Sequence, residues 1–222
     1  MPPRIDLLFP DCKRLYIVGA GGFGREVFAW FRHPVLVDRL VGFLSADPRA
    51  LDGLDLGFGV VGPPEEHVIR PDDAFVLAIG IPGVRRRVAE TLQASGGRFV
   101  TLVHETAVVA DSAVIGEGAV VCPYAVVSTQ ATLGVCSVLN YHASAAHDAV
   151  IGDYAVLSPY AAAGGHAVLE DDVFVGLHGS VGPGRHVGAR SKVAANSCAL
   201  INVPPDSLAL GVPARVTPLL TH

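Results

Sequence analysis

Residues 140–153, NYHASAAHDAVIGD, hold the densest set of groups able to handle a proton: Asn140, His142, His147 and Asp148. Imidazole as a side-chain type changes charge near neutral pH, so a histidine can take a proton from an attacking amine or hydroxyl and then release it. A carboxylate beside it orients the ring and stabilises the imidazolium form. Asp148 follows His147 directly, yet neighbouring side chains on a strand point to opposite sides. The two therefore meet only if the chain turns a corner between them; otherwise a backbone carbonyl must orient the ring. His166 adds a third imidazole, and three histidines open a second chemistry, because zinc is held by imidazole and carboxylate ligands.

A second constellation lies near the start. Residues 14–19, RLYIVG, read as a short apolar strand running into the glycine turn GAGGFG, with Gly19, Gly21, Gly22 and Gly24. REVFAWF follows, with Val27, Phe28, Trp30 and Phe31 spaced for a helix packed on a sheet. Strand, glycine turn and helix open a Rossmann-like unit: glycines let a ligand approach the backbone, and the helix N-terminus offers unpaired N–H groups to a phosphate. The second apolar stretch, RLVGFLSADP, ends in Asp47, placed either to meet a ribose or base edge or simply to turn the chain before Pro48. A third stretch, AFVLAIG, spans residues 74–80, and residues 84–95 read as an amphipathic helix closed by Gly96 and Gly97. Arg85, Arg86 and Arg87 on that helix are expected to form a solvated or interfacial face. Some 100 residues with four strands make only half of a dinucleotide fold, which disfavours an NAD-dependent enzyme and suits a nucleoside diphosphate.

What positions the histidines is a repeat. From Val109 to Val193 a small aliphatic residue recurs at every sixth position, fifteen times without a slip, including Leu133, Leu139, Ala145, Ile151 and Leu157. Four residues further on sits another small residue, as at Ala125, Ala143 and Ala161, with Arg185 the exception. Neither a helical period nor a strand alternation holds that register. A strict hexad is the mark of a solenoid whose units bury their apolar residues only by stacking.

Composition narrows the class. Half the residues are hydrophobic and only 17% are charged, yet no run approaches the length of a membrane span, and the first residues lack the charged and apolar regions of a signal peptide. A cytoplasmic protein is expected, its surplus apolar surface covered by other subunits. The net charge of −5 argues against nucleic acid as the main partner. Cys12, Cys122, Cys136 and Cys198 have no metal-like spacing and are expected to be reduced and packed.

The hexads resemble those of the hexapeptide-repeat acyltransferases, whose fold is a left-handed parallel β-helix with three hexads per triangular coil. Together with the opening IVGAGGFGREV, the chain looks like the bacterial sugar acetyltransferases that act on nucleotide-linked amino sugars or on sialic acids. The resemblance implies an α/β Rossmann-like domain over residues 1–103 that binds the nucleotide sugar, and an all-β left-handed β-helix acyltransferase domain over residues 104–222. It assigns His147 as the general base that deprotonates the acceptor while the acceptor attacks the thioester of acetyl-CoA, with Asp148 orienting it. Gly19, Gly21, Gly22 and Asp47 would hold the nucleotide diphosphate, with Asn140 and His142 at the sugar. Phe23 stands where many members carry histidine.

An eighteen-residue coil predicts neighbours: Asp148 beside His166, and Tyr124, His142, Tyr160, His178 and Asn196 in one ladder along an edge. The tail, NVPPDSLALGVPARV, resembles the family's closing segment, so Gly211, Pro213 and Arg215, with Gly164, Gly165 and His166, are expected at acetyl-CoA, and Lys192, Arg190 or Arg215 at its phosphates. Gly164 or Gly165 of a neighbouring chain is expected to offer an N–H to the oxyanion. The resemblance further implies a homotrimer and no metal: solenoids similar to carbonic anhydrases join three histidines from neighbouring subunits but lack the front domain. N-acetylation of a UDP- or dTDP-linked amino sugar is the favoured activity, with O-acetylation of sialic acid or another glycan hydroxyl, or a non-catalytic scaffold, as alternatives.

Overall fold

The computed structural model describes residues 5–6, 12–30 and 34–219; Phe31, His33 and His222 lie outside them. From Thr101–Val103 to Cys198–Ala199, short strands recur every six residues and sort into three parallel sheets, the faces of a prism. The smallest of these sheets has five strands, so five complete coils are stacked. Val126 pairs with Ser144, Thr132 with Val150 and Val138 with Val156, each pair one eighteen-residue coil apart. The sixth-residue positions point inward, and Val121, Leu139, Ala145, Leu157 and Val187 are completely buried. Val109 and Ile115 are only partly buried, because the lowest coil has no neighbour beneath it.

The corners carry the less obvious regularity. From Tyr124 to Asn196 one residue in six has a positive φ; twelve are not glycine, with φ between 52° and 60°, and Gly184 fills the remaining position. A left-handed conformation costs an L-residue roughly 1–2 kcal/mol. Here each corner N–H from Cys136 onward is repaid by a carbonyl of the coil below, as in Tyr160 N–H to Tyr141 O at 3.1 Å and His166 N–H to His147 O at 2.9 Å, while those of Tyr124 and Gln130 donate to the hydroxyls of Thr106 and Ser112. Side chains at a corner and just before it thus project to the same side, outward.

The front domain is a four-stranded parallel sheet in the order Val60–Gly62, Leu40–Leu44, Arg14–Val18, Asp73–Leu77, flanked by helices Gly22–Trp30 and Pro82–Ala94. It packs on one face of the prism, where Leu15, Ile17, Phe28 and Val76 share a core with Val120, Val138 and Val156. The arginine cluster is not a solvated face. Arg85 is fully buried and donates to Leu77 O at 2.8 Å, Ile79 O at 3.0 Å and Cys136 O, its pKa pushed down to about 10 by burial. Arg86 reaches Asp172 at 2.7 Å and Asp171 at 3.2 Å and lies 4.4 Å over the Tyr154 ring. Two of the three arginines therefore bolt the helix to a prism corner. The cysteines form no disulfide among the described residues, and burial pushes the Cys122 thiol up and that of Cys136 up to about 11, as befits packing groups. No helix among the described residues is long and apolar enough to cross a membrane.

Candidate active site

The prism corner between strands Ser144–Ala145 and Val150–Ile151 carries the histidine–carboxylate pair. His147 Nδ1 lies 2.9 Å from Asp148 Oδ2, a contact made by adjacent residues because Asp148 has φ +59°. A carboxylate that accepts from Nδ1–H fixes the tautomer and leaves the Nε2 lone pair free to take a proton. One coil along, His166 sets its ring at 85° to that of His147, centroids 5.1 Å apart, with Nε2 3.7 Å from the same Asp148 oxygen. Gly165 is the floor: a Cβ there would stand 2.5 Å from both Cε1 and Nε2 of His147. The ring stays open to solvent, its side chain 57% exposed.

Of the two glycines expected at the oxyanion, Gly164 is already used, its N–H bonded to Val181 O at 2.9 Å. The Gly165 N–H has no such bond among the described residues, which leaves it as the available donor. The floor of the imidazole slot is thus also the free amide.

His142 sits on a different corner. Its ring is stacked between Tyr124 at 5.0 Å and Tyr160 at 4.7 Å, and His178 continues the ladder at 4.6 Å, as the coil spacing predicts. Only His147, Asp148 and His166 bring ligand atoms within 4.8 Å of one another among the described residues, so the three histidines do not converge. Asn140 is on this edge too, its Oδ1 accepting the Tyr141 N–H at 2.7 Å. Beside the ladder a cavity of about 360 Å³ is lined by Glu26, Trp30, Pro123, Tyr124, Tyr141 and His142, at the seam between the domains. Burial raises the pKa of Glu26. Sequence reading passed over Glu26 and took Trp30 for a packing residue; their four-residue spacing on one helix face was the available signal.

At the glycine turn the four glycines divide in two. A Cβ at Gly19, where φ is +107°, would meet Ala78 O at 2.7 Å, and one at Gly24 would meet Gly19 O at 1.9 Å, so both serve the close approach of turn, helix and sheet. Gly21 and Gly22 have nothing within 4 Å of such an atom and border open space at the start of the helix. Asp47 lies at the same carboxyl edge of the sheet, exposed, with Oδ1 accepting the Arg49 N–H at 2.9 Å. It turns the chain while its second oxygen stays unused among the described residues. Gly211 and Pro213 form the tip of a hairpin, Ser207–Gly211 with Ala214–Pro218, that closes the prism above the last coils. Arg190 is held in a fork by Asp206 at 2.7 and 2.6 Å, whereas Lys192 and Arg215 are exposed and make no ion pair among the described residues.

The chain is similar in sequence and fold to known proteins. Residues 14–92 match the PglD N-terminal domain family. Over the whole length, the chain is similar to the acetyltransferase domain of PglB from Neisseria gonorrhoeae FA1090, at 28% identity and a TM-score of 0.83, covering 91% of this chain and 98% of that one. PerB from Caulobacter crescentus, solved in complex with CoA and GDP-perosamine, is 26% identical with a TM-score of 0.83, covering 92% of this chain and 97% of that one. A UDP-N-acetylbacillosamine N-acetyltransferase of Bacillus subtilis (strain 168) is 35% identical over 108 residues, 47% of this chain and 49% of its own length. The match thus spans about half of that curated relative. The similarity of fold joins front domain and solenoid in one unit, as the sequence resemblance implies.

Proposed function

We propose that the protein transfers the acetyl group of acetyl-CoA to the amino group of a nucleotide-linked amino sugar, working as a homotrimer in the cytoplasm. The observation that carries this reading is the His147–Asp148 hydrogen bond at an exposed corner above Gly165, with Nε2 left free. A relative with an acetyltransferase name and another solved with CoA and GDP-perosamine support it. The amine attacks the thioester carbonyl carbon, a C–N bond forms, and Nε2 of His147 takes the surplus amine proton. Asp148 stabilises the imidazolium and the Gly165 N–H faces the oxyanion. As the C–S bond breaks, the proton passes to the leaving sulfur and CoA departs as the thiol. An amine needs no covalent enzyme intermediate for this.

The placement of the parts supports the trimer. The front domain covers the face bearing Val120, Val138 and Val156, and the His147 corner is the vertex opposite that face. A single chain therefore separates its glycine turn from its base by the thickness of the prism. The uncovered face between the two histidine corners presents Val126, Ser144, Ala162, Ser180 and Cys198, a column of small uncharged side chains suited to close packing about a threefold axis. Such packing sets the ring corner of one chain, with its sugar-sized cavity and front domain, against the His147 corner of the next.

Thiol release with a panel of UDP-, dTDP- and GDP-linked amino sugars tests the activity. Acceleration by an amino sugar linked to a nucleotide is expected. Release driven only by a free hydroxyl sugar would move the assignment to O-acetylation. Phe23→His is expected to shift the acceptor KM, since residue 23 opens the helix at the glycine turn.

A further inference from the structure

The base corner holds more ligand atoms than proton transfer needs. One carboxylate suffices to orient one imidazole, yet a second imidazole, His166, closes on the same Asp148 oxygen at 3.7 Å, while His147 Nδ1 stands 2.9 Å from it. One ring nitrogen from each histidine and a carboxylate oxygen all lie within 4.8 Å of one another, the only group of three such ligands among the described residues. Their spacing is built into the fold. The two histidines sit on successive coils tied by the His166 N–H to His147 O bond of 2.9 Å, and both Asp148 and His166 occupy left-handed corner positions that aim their side chains outward.

Ligand type selects the ion. Two imidazoles and one carboxylate suit zinc, cobalt or nickel, whereas calcium and magnesium ask for an oxygen cage that a single carboxylate does not make. Bonds of about 2.0–2.2 Å in a tetrahedral set put neighbouring ligand atoms roughly 3.3 Å apart. The 2.9 and 3.7 Å separations bracket that value, and the three side chains, 57%, 42% and 67% exposed, have room to close by small rotations.

We propose that His147, Asp148 and His166 form a binding site for a divalent transition ion of the zinc type, with water completing its shell, and that occupation of this site arrests turnover. The reason is bookkeeping of one proton: an ion on Nδ1 of His147 takes that lone pair, so the neutral ring must carry its proton on Nε2, which then has no lone pair to offer. The ion is an antagonist of the base and not a cofactor. Binding rests only on the geometry; the arrest rests on the acetyl-transfer reading as well.

Cobalt titration of the metal-free, full-length protein separates the two. The visible absorption of a low-symmetry, nitrogen- and oxygen-ligated cobalt ion is expected to saturate at one ion per chain and to be bleached by added zinc. His166→Asn, chosen because asparagine tolerates a positive φ, and Asp148→Asn are each expected to lose at least about nine-tenths of that absorption with an unchanged far-UV spectrum. His142→Asn, on the other corner, is expected to keep it. Absorption that survives in His166→Asn, or that never develops in the parent protein, overturns the site. In the assay, zinc is expected to inhibit the parent at least about ten-fold more strongly than His166→Asn, each compared with its own zinc-free rate. Cobalt bound with turnover undiminished overturns the arrest while leaving the site standing, and a protein that acetylates nothing still answers the cobalt question.

Discussion

The two histidine-bearing corners of the prism are built alike and differ in what they can do. Both place a residue with φ near +57° every eighteen positions, and both expose imidazoles. At the ring corner the residues are stacked nearly parallel, with interplanar angles of 9–12°, and their neighbours before the turn are Pro123, Tyr141, Pro159 and Leu177. At the base corner the preceding residues are Thr129, His147, Gly165 and Pro183, and the rings meet at 85°. A corner histidine packed between tyrosines has its faces occupied. A histidine one residue before the corner can lean on the carboxylate that follows it and lie over a glycine on the next coil. Position relative to the turn, together with one missing Cβ, separates a packing imidazole from one whose Nε2 is left open.

The largest test of that contrast is His147→Ala, expected to lower kcat by at least about 10²-fold with the melting temperature retained, measured by thiol release. Unchanged turnover would falsify the base. Gly165→Ala comes next: its φ is not in the left-handed region, so the backbone accepts alanine, but the methyl group would occupy space 2.5 Å from the imidazole. A ring displaced by about 1 Å is expected to cost roughly 30-fold in kcat with acceptor KM little changed, and full activity would show that the slot is not as tight as it looks. Asp148→Asn keeps an oxygen for Nδ1–H but loses the charge. With that carboxylate 42% exposed, solvent already screens it, and a fall of only about 10-fold in kcat is expected. His142→Asn is expected to be the mildest, raising acceptor KM by about 3-fold and leaving kcat nearly intact. A larger kcat loss there than in Asp148→Asn would reverse the ranking of the two corners.

The unbroken hexad made a stacked solenoid legible, because inward burial imposes the same chemical type at every sixth residue, and the resemblance to the hexapeptide-repeat acyltransferases supplied the three-sided coil and with it the side-chain ladder. The front domain was legible for a similar reason: apolar strands ending in a glycine turn have few alternatives. Corner conformation was not. Tyr, Gln, Cys, His, Asp and Arg all occupy left-handed positions here, so residue type gave no sign of it. That hidden turn decides that His147 and Asp148 share a side. For Arg85 the interfacial alternative holds over the solvated one, a choice closed to the sequence for a related reason: helix periodicity places it on a face but cannot say that a second domain will bury that face, with three carbonyls waiting for the guanidinium. Gly164 and Gly165 looked equivalent in sequence, and the ladder bond of Gly164 to Val181 and the contact of Gly165 with the His147 ring distinguish them.

Complementation between two inactive variants tests most directly whether the site is shared by neighbouring chains. His147→Ala retains the glycine turn, and a Gly21→Asp, Gly22→Asp variant, with carboxylates placed where the phosphates would bind, retains the base corner. Each alone is expected to be inactive. Co-expressed and purified as mixed oligomers, they are expected to recover a substantial fraction of parental thiol release, since some interfaces pair one chain's intact turn with the next chain's intact His147. Mixed oligomers as inactive as their parents would contradict a site divided between chains.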